Sequence, residues 1–349
     1  MLTRLFAGVL SFFSVFALWN PSAQPNRIPE TRTAPVYADG TMPDRFGVWP
    51  TEEFIEGPAP WWFSAGLMRR LYDFKGRADG GEYTDSLLVL YRGQLIYEWY
   101  AEGFDETTAF PVFSITKSVL ATLVGIAIHE GYIECLDQNV IDFFPEAYIV
   151  STDRKELMTI DHLLTMTSGL EDGGDWWEAE DSGLAAFLRP QQHAPGSRYA
   201  YIGVTYDLLA SVVARAAGQS LYDFAQQYLF GPLGITSVAW PALPDGAYRG
   251  AGGIRMNTHD MLRLGYLWLN YGRWEDEQLL CPHFMAQAPP RSMAPGAYGR
   301  SFWNSQVFPF FFTGVYEARG WRGQVISVYP FADMVVVRTG WNEVRTELN

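Results

Sequence analysis

Hydrophobic positions follow two kinds of pattern along this chain, strand-like runs towards its two ends and helix-like repeats through its middle. Ser86-Leu87-Leu88-Val89-Leu90-Tyr91 and Gln94-Leu95-Ile96-Tyr97-Glu98-Trp99-Tyr100 flank Arg92-Gly93, so two β-rich segments around a tight turn predict a hairpin. The apolar run 119–128 stops at Gly131 and predicts a buried helix, with Pro111 placing its start near Ser114. Further helices are expected from Thr159 or Asp161 with Gly169 as C-terminal punctuation, over 206–217 before Gly218, over 221–230 before Gly231-Pro232, and over 258–271. A shorter one is expected at 64–72. Strand patterns return at 324–329 and 334–338. Strands at both ends with helices between them predict an α+β fold whose termini pair in one antiparallel sheet. Helices flank that sheet, and a mostly helical subdomain is inserted at about 135–240.

The beginning of the chain stands apart from this core. Residues 1–28 start with Arg4, continue through the apolar run 5–19 and end in Asn20-Pro21-Ser22-Ala23-Gln24, which reads as an export signal or a retained N-terminal membrane anchor. The protein is therefore expected outside the cytoplasm, periplasmic or held to the membrane facing outward. Residues 29–80, rich in Pro, Gly and aromatics, read as an N-terminal extension wrapped on the core, leaving 81–349 as the main domain.

Composition removes several function classes. A net charge of −14 argues against nucleic acid as a partner. Cys135 and Cys281 are the only cysteines, without a CxxC pair, and the five histidines form no HExxH pattern. Neither a disulfide framework, a metal nor a cofactor is expected. The expected partner is a small molecule.

Candidate chemistry centres on Ser114-Ile115-Thr116-Lys117. On a helix, side chains three residues apart share a face, so the hydroxyl and the amine can touch. Serine is a poor nucleophile until a base takes its proton, and lysine serves as that base only when its surroundings lower its pKa. Lysine occurs only at positions 75, 117 and 155, with arginine supplying every other permanent positive charge. Arginine cannot become a neutral base, so a lysine kept beside an apolar helix is chemically informative. A Ser-x-x-Lys spacing also arises by chance, typically as a surface serine beside a solvated lysine. Residues 171–182 are acidic and Gly-rich and carry Trp176-Trp177, as an exposed loop over a pocket would.

The order of these motifs resembles the serine β-lactamase and penicillin-recognising superfamily, in its class C-like branch of esterases, D-amino-acid peptidases and 6-aminohexanoate-dimer hydrolases. The resemblance covers about 83–340 and rests on five stretches in order: the hairpin ending in Tyr97-Glu98, Ser114 to Lys117, 159–170, Pro195-Gly196 to Tyr201, and Gly320-Trp321-Arg322-Gly323-Gln324. It implies that Ser114 is the acylated nucleophile, Lys117 its partner and Tyr201 the family tyrosine. Two departures stand out. Gly203 replaces the asparagine of the usual Tyr-x-Asn, and Arg319-Gly320-Trp321-Arg322-Gly323 replaces the usual Lys/His-Thr-Gly.

The resemblance thus implies a serine hydrolase that cleaves an ester or amide through an acyl-enzyme. Weak β-lactamase or D-amino-acid peptidase activity ranks lower, as does a non-catalytic binding or assembly protein that has kept the fold. Oxyanion donors are expected from the N–H of Ser114 and from Trp321 or Arg322. Substrate contacts are expected at Asp175, Trp176, Trp177, Gly203 and Gly320.

Overall fold

The computed structural model describes residues 47–78, 83–149, 154–290, 297–305 and 314–340. The predicted hairpin is formed by Ser86–Tyr91 (β1) and Gln94–Tyr100 (β2). Arg92 and Gly93 both take positive φ, +50° and +79°, the twist a two-residue hairpin turn requires. A Cβ at position 93 would also meet Val48 O at 2.6 Å, so the extension before the sheet closes onto this turn.

Four more strands complete a six-stranded sheet: Trp303–Asn304 (β3), Tyr316–Gly320 (β4), Gln324–Tyr329 (β5) and Met334–Thr339 (β6). Their order is β2-β1-β6-β5-β4-β3, and each neighbouring pair is antiparallel. The first and last of these strands in the sequence, β1 and β6, pair at the centre, with Ser86 opposite Thr339 and Tyr91 opposite Met334.

Alternation along the strands gives this sheet two buried faces. One face presents Leu88, Leu90, Ile326, Val328, Val335 and Val337 to the main core, which Ile115–His129 (α2) and Thr258–Leu269 (α4) share. The opposite face presents Leu87, Val89, Val325 and Val336 and is covered by Tyr72 and Met68 of Ala65–Ala78 (α1). The extension thus supplies a layer of the fold. Its helix is longer than the expected 64–72.

Helix α2 is buried from Ile115 to Ala127, so it is apolar on every side and runs through the core. Its internal hydroxyls are satisfied: Ser118 donates to Ser301 O at 2.6 Å, and Thr122 accepts from the Trp268 indole at 2.9 Å. The next long helix, Gly203–Ala217 (α3), starts three residues before the expected 206 and is closed by Gly218 at φ +65°. The helix expected to reach Gly169 spans only Ile160–Leu164, capped by Thr159. Gly169, at φ +77°, instead serves the turn after it. Helix α4 ends at Leu269, before the expected 271. The apolar run 5–19 lies outside the described residues.

Candidate active site

The site is set by how the chain enters α2. Phe113 is held at φ +49°, an uncommon conformation for a bulky side chain, and Ser114 follows at φ −70° as the residue capping the helix. The turn is closed by Thr116 N–H donating to Phe113 O at 3.0 Å and Lys117 N–H donating to Ser114 O at 3.0 Å. Ser114 therefore stands where the free N–H groups and the positive end of the helix dipole point.

One turn along, Lys117 is 4% exposed, and its Nζ donates to Ser114 Oγ at 3.0 Å and to Ala251 O at 2.5 Å. Burial lowers its pKa from 10.5 to about 8. Asp207 works against that lowering and Arg249 adds to it. An amine with such a pKa is available in its neutral form at mildly alkaline pH, as a solvated lysine is not.

Tyr201 completes the cluster from the segment before α3. Its ring centroid lies 5.0 Å from Lys117 Nζ, which itself bonds Ser114 Oγ. Burial raises the phenol's pKa, with the neighbouring Ser114 hydroxyl opposing the rise, although 40% of the residue stays exposed. A hydroxyl and an amine one helical turn apart thus meet a phenol from far along the chain.

A buried carboxylate not singled out in the sequence underlies this arrangement. Asp207 Oδ1 accepts from Ala251 N at 2.9 Å, and Oδ2 accepts from Trp176 Nε1 at 3.1 Å and Arg249 Nη2 at 3.4 Å. Asp207 therefore fixes the residue whose carbonyl accepts from the Lys117 amine. The detectable signal was a lone acid within the apolar repeat of α3, next to the turn-like Gly250-Ala251-Gly252-Gly253.

The remaining predicted positions divide by location. Gly320 lies directly against the loop before Ser114, since an added Cβ would clash with Val112 O. Trp321 follows it, 60% exposed, with its ring edge-on to Phe113 at 5.5 Å. Arg322 sits at φ +59° with its guanidinium 4.4 Å from the Trp321 ring centroid. Gly203 opens α3, and a Cβ there would meet only Ala251 Cβ, at 3.7 Å. Asp175 is exposed at the head of the short turn 176–178. Trp176 is buried beneath the site on Asp207 rather than on an open wall. Trp177 is half-buried, edge-on to Trp176, with the Arg249 guanidinium 5.6 Å from its ring. Arg319, in the strand region where the family pattern has its cation, is bound to Glu317 Oε2 at 2.7 Å and to Asn304 O at 2.8 Å.

Comparison with known proteins gives a consistent result. The Beta-lactamase family model matches residues 73–339. The chain is 26% identical over 224 residues to the 6-aminohexanoate-dimer hydrolase of Paenarthrobacter ureafaciens, covering 59% of this chain and 57% of the relative. It is 35% identical over 150 residues to esterase EstB of Burkholderia gladioli, covering 37% and 38%. The chain thus spans about half or less of the length of these relatives. A penicillin-binding protein homologue from Caulobacter crescentus superposes with a TM-score of 0.62 at 18% identity, covering 81% of this chain and 92% of that one. That likeness shows the fold.

Proposed function

This chain belongs to the Beta-lactamase family, and on that premise we propose that it is a serine hydrolase that cleaves an ester or amide through an acyl-enzyme on Ser114. The geometry carries the reading: Lys117 Nζ lies 3.0 Å from Ser114 Oγ, and the Tyr201 ring centroid lies 5.0 Å from the same Nζ. A lysine lowered to about 8 is fitted to take a proton, and a tyrosine whose pKa is raised is still protonated at neutral pH and so has a proton to give.

In the proposed sequence the Ser114 proton passes to neutral Lys117 as Oγ bonds to the substrate carbonyl carbon. The oxyanion is held by the Ser114 N–H and an N–H at Trp321 or Arg322. As the carbon–oxygen or carbon–nitrogen bond breaks, Tyr201 gives its proton to the departing alcohol or amine, and the Lys117 ammonium restores it. Water then attacks the acyl-enzyme by the reverse transfers and releases the acid. The buried Asp207 keeps Ala251 O, and through it Lys117, in place.

The names of the relatives, a dimer hydrolase and an esterase, support both linkages, and Asp175 remains the proposed contact for a substrate ammonium. Recognition of a β-lactam carboxylate is disfavoured because Arg319 is already neutralised by Glu317. The basic and apolar start of the chain supports an exported enzyme. The test is intact-protein mass spectrometry after a fluorophosphonate. One adduct is expected on the wild type and none on Ser114→Ala; no adduct, or one that persists in the variant, rejects the reading.

A further inference from the structure

Tyr201 is surrounded by other rings. Its centroid lies 5.7 Å from Tyr298 and 5.6 Å from Trp303, which are themselves 4.7 Å apart, and Tyr199 meets Tyr298 at 5.8 Å. Tyr199 is 47% exposed. Single exposed aromatics are ordinary, but here the exposed rings of Tyr199 and Tyr201 are joined through the partly buried Tyr298, with Trp303 beside them, next to the Ser114 site.

This group is held in place from behind. The Tyr298 hydroxyl bonds that of Tyr206 at 3.0 Å, and Tyr206 donates to Leu164 O at 2.8 Å. On the other side the Arg319 guanidinium lies 5.8 Å from the Trp303 ring, fixed by Glu317 and Asn304 O. An aromatic surface so braced presents one fixed array of edge-on and tilted rings to a ligand, with little freedom left to lose on binding.

Its position decides which part of a substrate it meets. In the acyl-enzyme reading, on which this inference rests, Tyr201 protonates the departing group, so the alkoxy oxygen lies beside its hydroxyl and the rest of the alcohol extends over the neighbouring rings. We infer that Tyr199, Tyr201 and Trp303 form the subsite for the leaving alcohol, and that this subsite selects esters of aryl-bearing alcohols, of benzyl type, over small aliphatic ones. Rings meet such a group by offset or edge-on stacking in addition to burying its apolar area.

Benzyl acetate and ethyl acetate test this. They share one acyl group, so deacylation is common to both, and kcat/KM reports the steps through acylation. The wild type is expected to favour benzyl acetate by about tenfold, the size of one good aromatic contact with its buried area. Tyr199→Ala is expected to lower the benzyl-to-ethyl ratio about fivefold, and Tyr199→Phe to keep it, because the ring and not the hydroxyl is used. As a measurement on unaltered protein, benzyl alcohol is expected to compete with p-nitrophenyl acetate at concentrations about tenfold lower than ethanol. A wild-type ratio near one, a ratio that Tyr199→Ala leaves unmoved, or equal inhibition by the two alcohols overturns the subsite alone. Turnover of none of these esters by protein that still takes a fluorophosphonate on Ser114 also overturns the subsite, whereas turnover of none together with no adduct overturns the hydrolase reading beneath it.

Discussion

Replacing Lys117 with methionine tests the premise that an uncharged amine is held in the core. The folded pKa of about 8 lies below the ordinary 10.5, so at neutral pH the fold opposes a charge that the unfolded chain carries freely. At about 1.4 kcal/mol per tenfold, that difference costs the native state about 3 kcal/mol. Methionine removes this cost but forfeits the bonds to Ser114 Oγ and Ala251 O, a loss of about 1 to 2 kcal/mol. The expected net effect at pH 7 is a variant more stable by about 1 to 2 kcal/mol, or roughly 2 to 6 °C in Tm, and without hydrolase activity. Between pH 8 and 10.5 the folded wild type binds fewer protons than the unfolded chain, so its stability rises with pH relative to the variant. The gap should therefore close between about pH 9 and 10 and reverse by about pH 11, where only the bonds that methionine forfeits, about 1 to 2 kcal/mol, remain. Calorimetric melts of both proteins from pH 7 to 11 provide the measurement. A variant less stable than the wild type at pH 7, by a margin flat in pH, means that Lys117 is charged and paired, and the proposed base is lost.

Three further outcomes follow from the site. The rate of p-nitrophenyl butyrate hydrolysis, as kcat/KM, should rise with pH to a plateau with a midpoint at about 8, and Asp207→Asn should move that midpoint lower because the Asp207 charge holds it up; an unmoved or raised midpoint contradicts the assignment. Tyr201→Phe should lower ethyl butyrate turnover by about 10²- to 10⁴-fold and p-nitrophenyl butyrate turnover far less, since nitrophenolate departs unprotonated. Equal losses for both esters would remove the acid role. Gly320→Ala should shift the strand away from Val112 O, costing about 1 to 3 kcal/mol by overpacking and most of the turnover. A fully active and equally stable variant would show that this close approach is not needed.

Local pattern is enough to locate the hairpin, the apolar helix behind Ser114 and the two last strands, because each is dictated by neighbouring residues: Arg92-Gly93 for the turn, the run 119–128 for the helix and alternation for the strands. Helix ends were harder to read. The segment after Thr159 stops at Leu164 although the sequence offers no breaker before Gly169, and α3 begins at Gly203 rather than after a polar cap. The site was legible to the extent that one turn of helix joins its parts. That joins Lys117 to Ser114, whereas Tyr201 came only with the resemblance. Asp207, Ala251 and Trp176 meet through tertiary packing, and no spacing encodes that meeting. A tryptophan beside an acidic loop looks like a ligand contact, but the need of a buried carboxylate for donors turned the Trp176 indole inward.

The central strand pair has a consequence for how the molecule is made. Ser86 and Thr339 share a hydrogen bond across 253 positions, so β1 must wait for nearly the whole polypeptide before it gains that neighbour. A nascent chain emerging from the ribosome holds α2 long before the strands that cover it, and such distant pairings close slowly. Products truncated before residue 316 carry Ser114 without the β-strand that abuts its loop, so the surroundings of that serine are completed only after most of the described fold has been made.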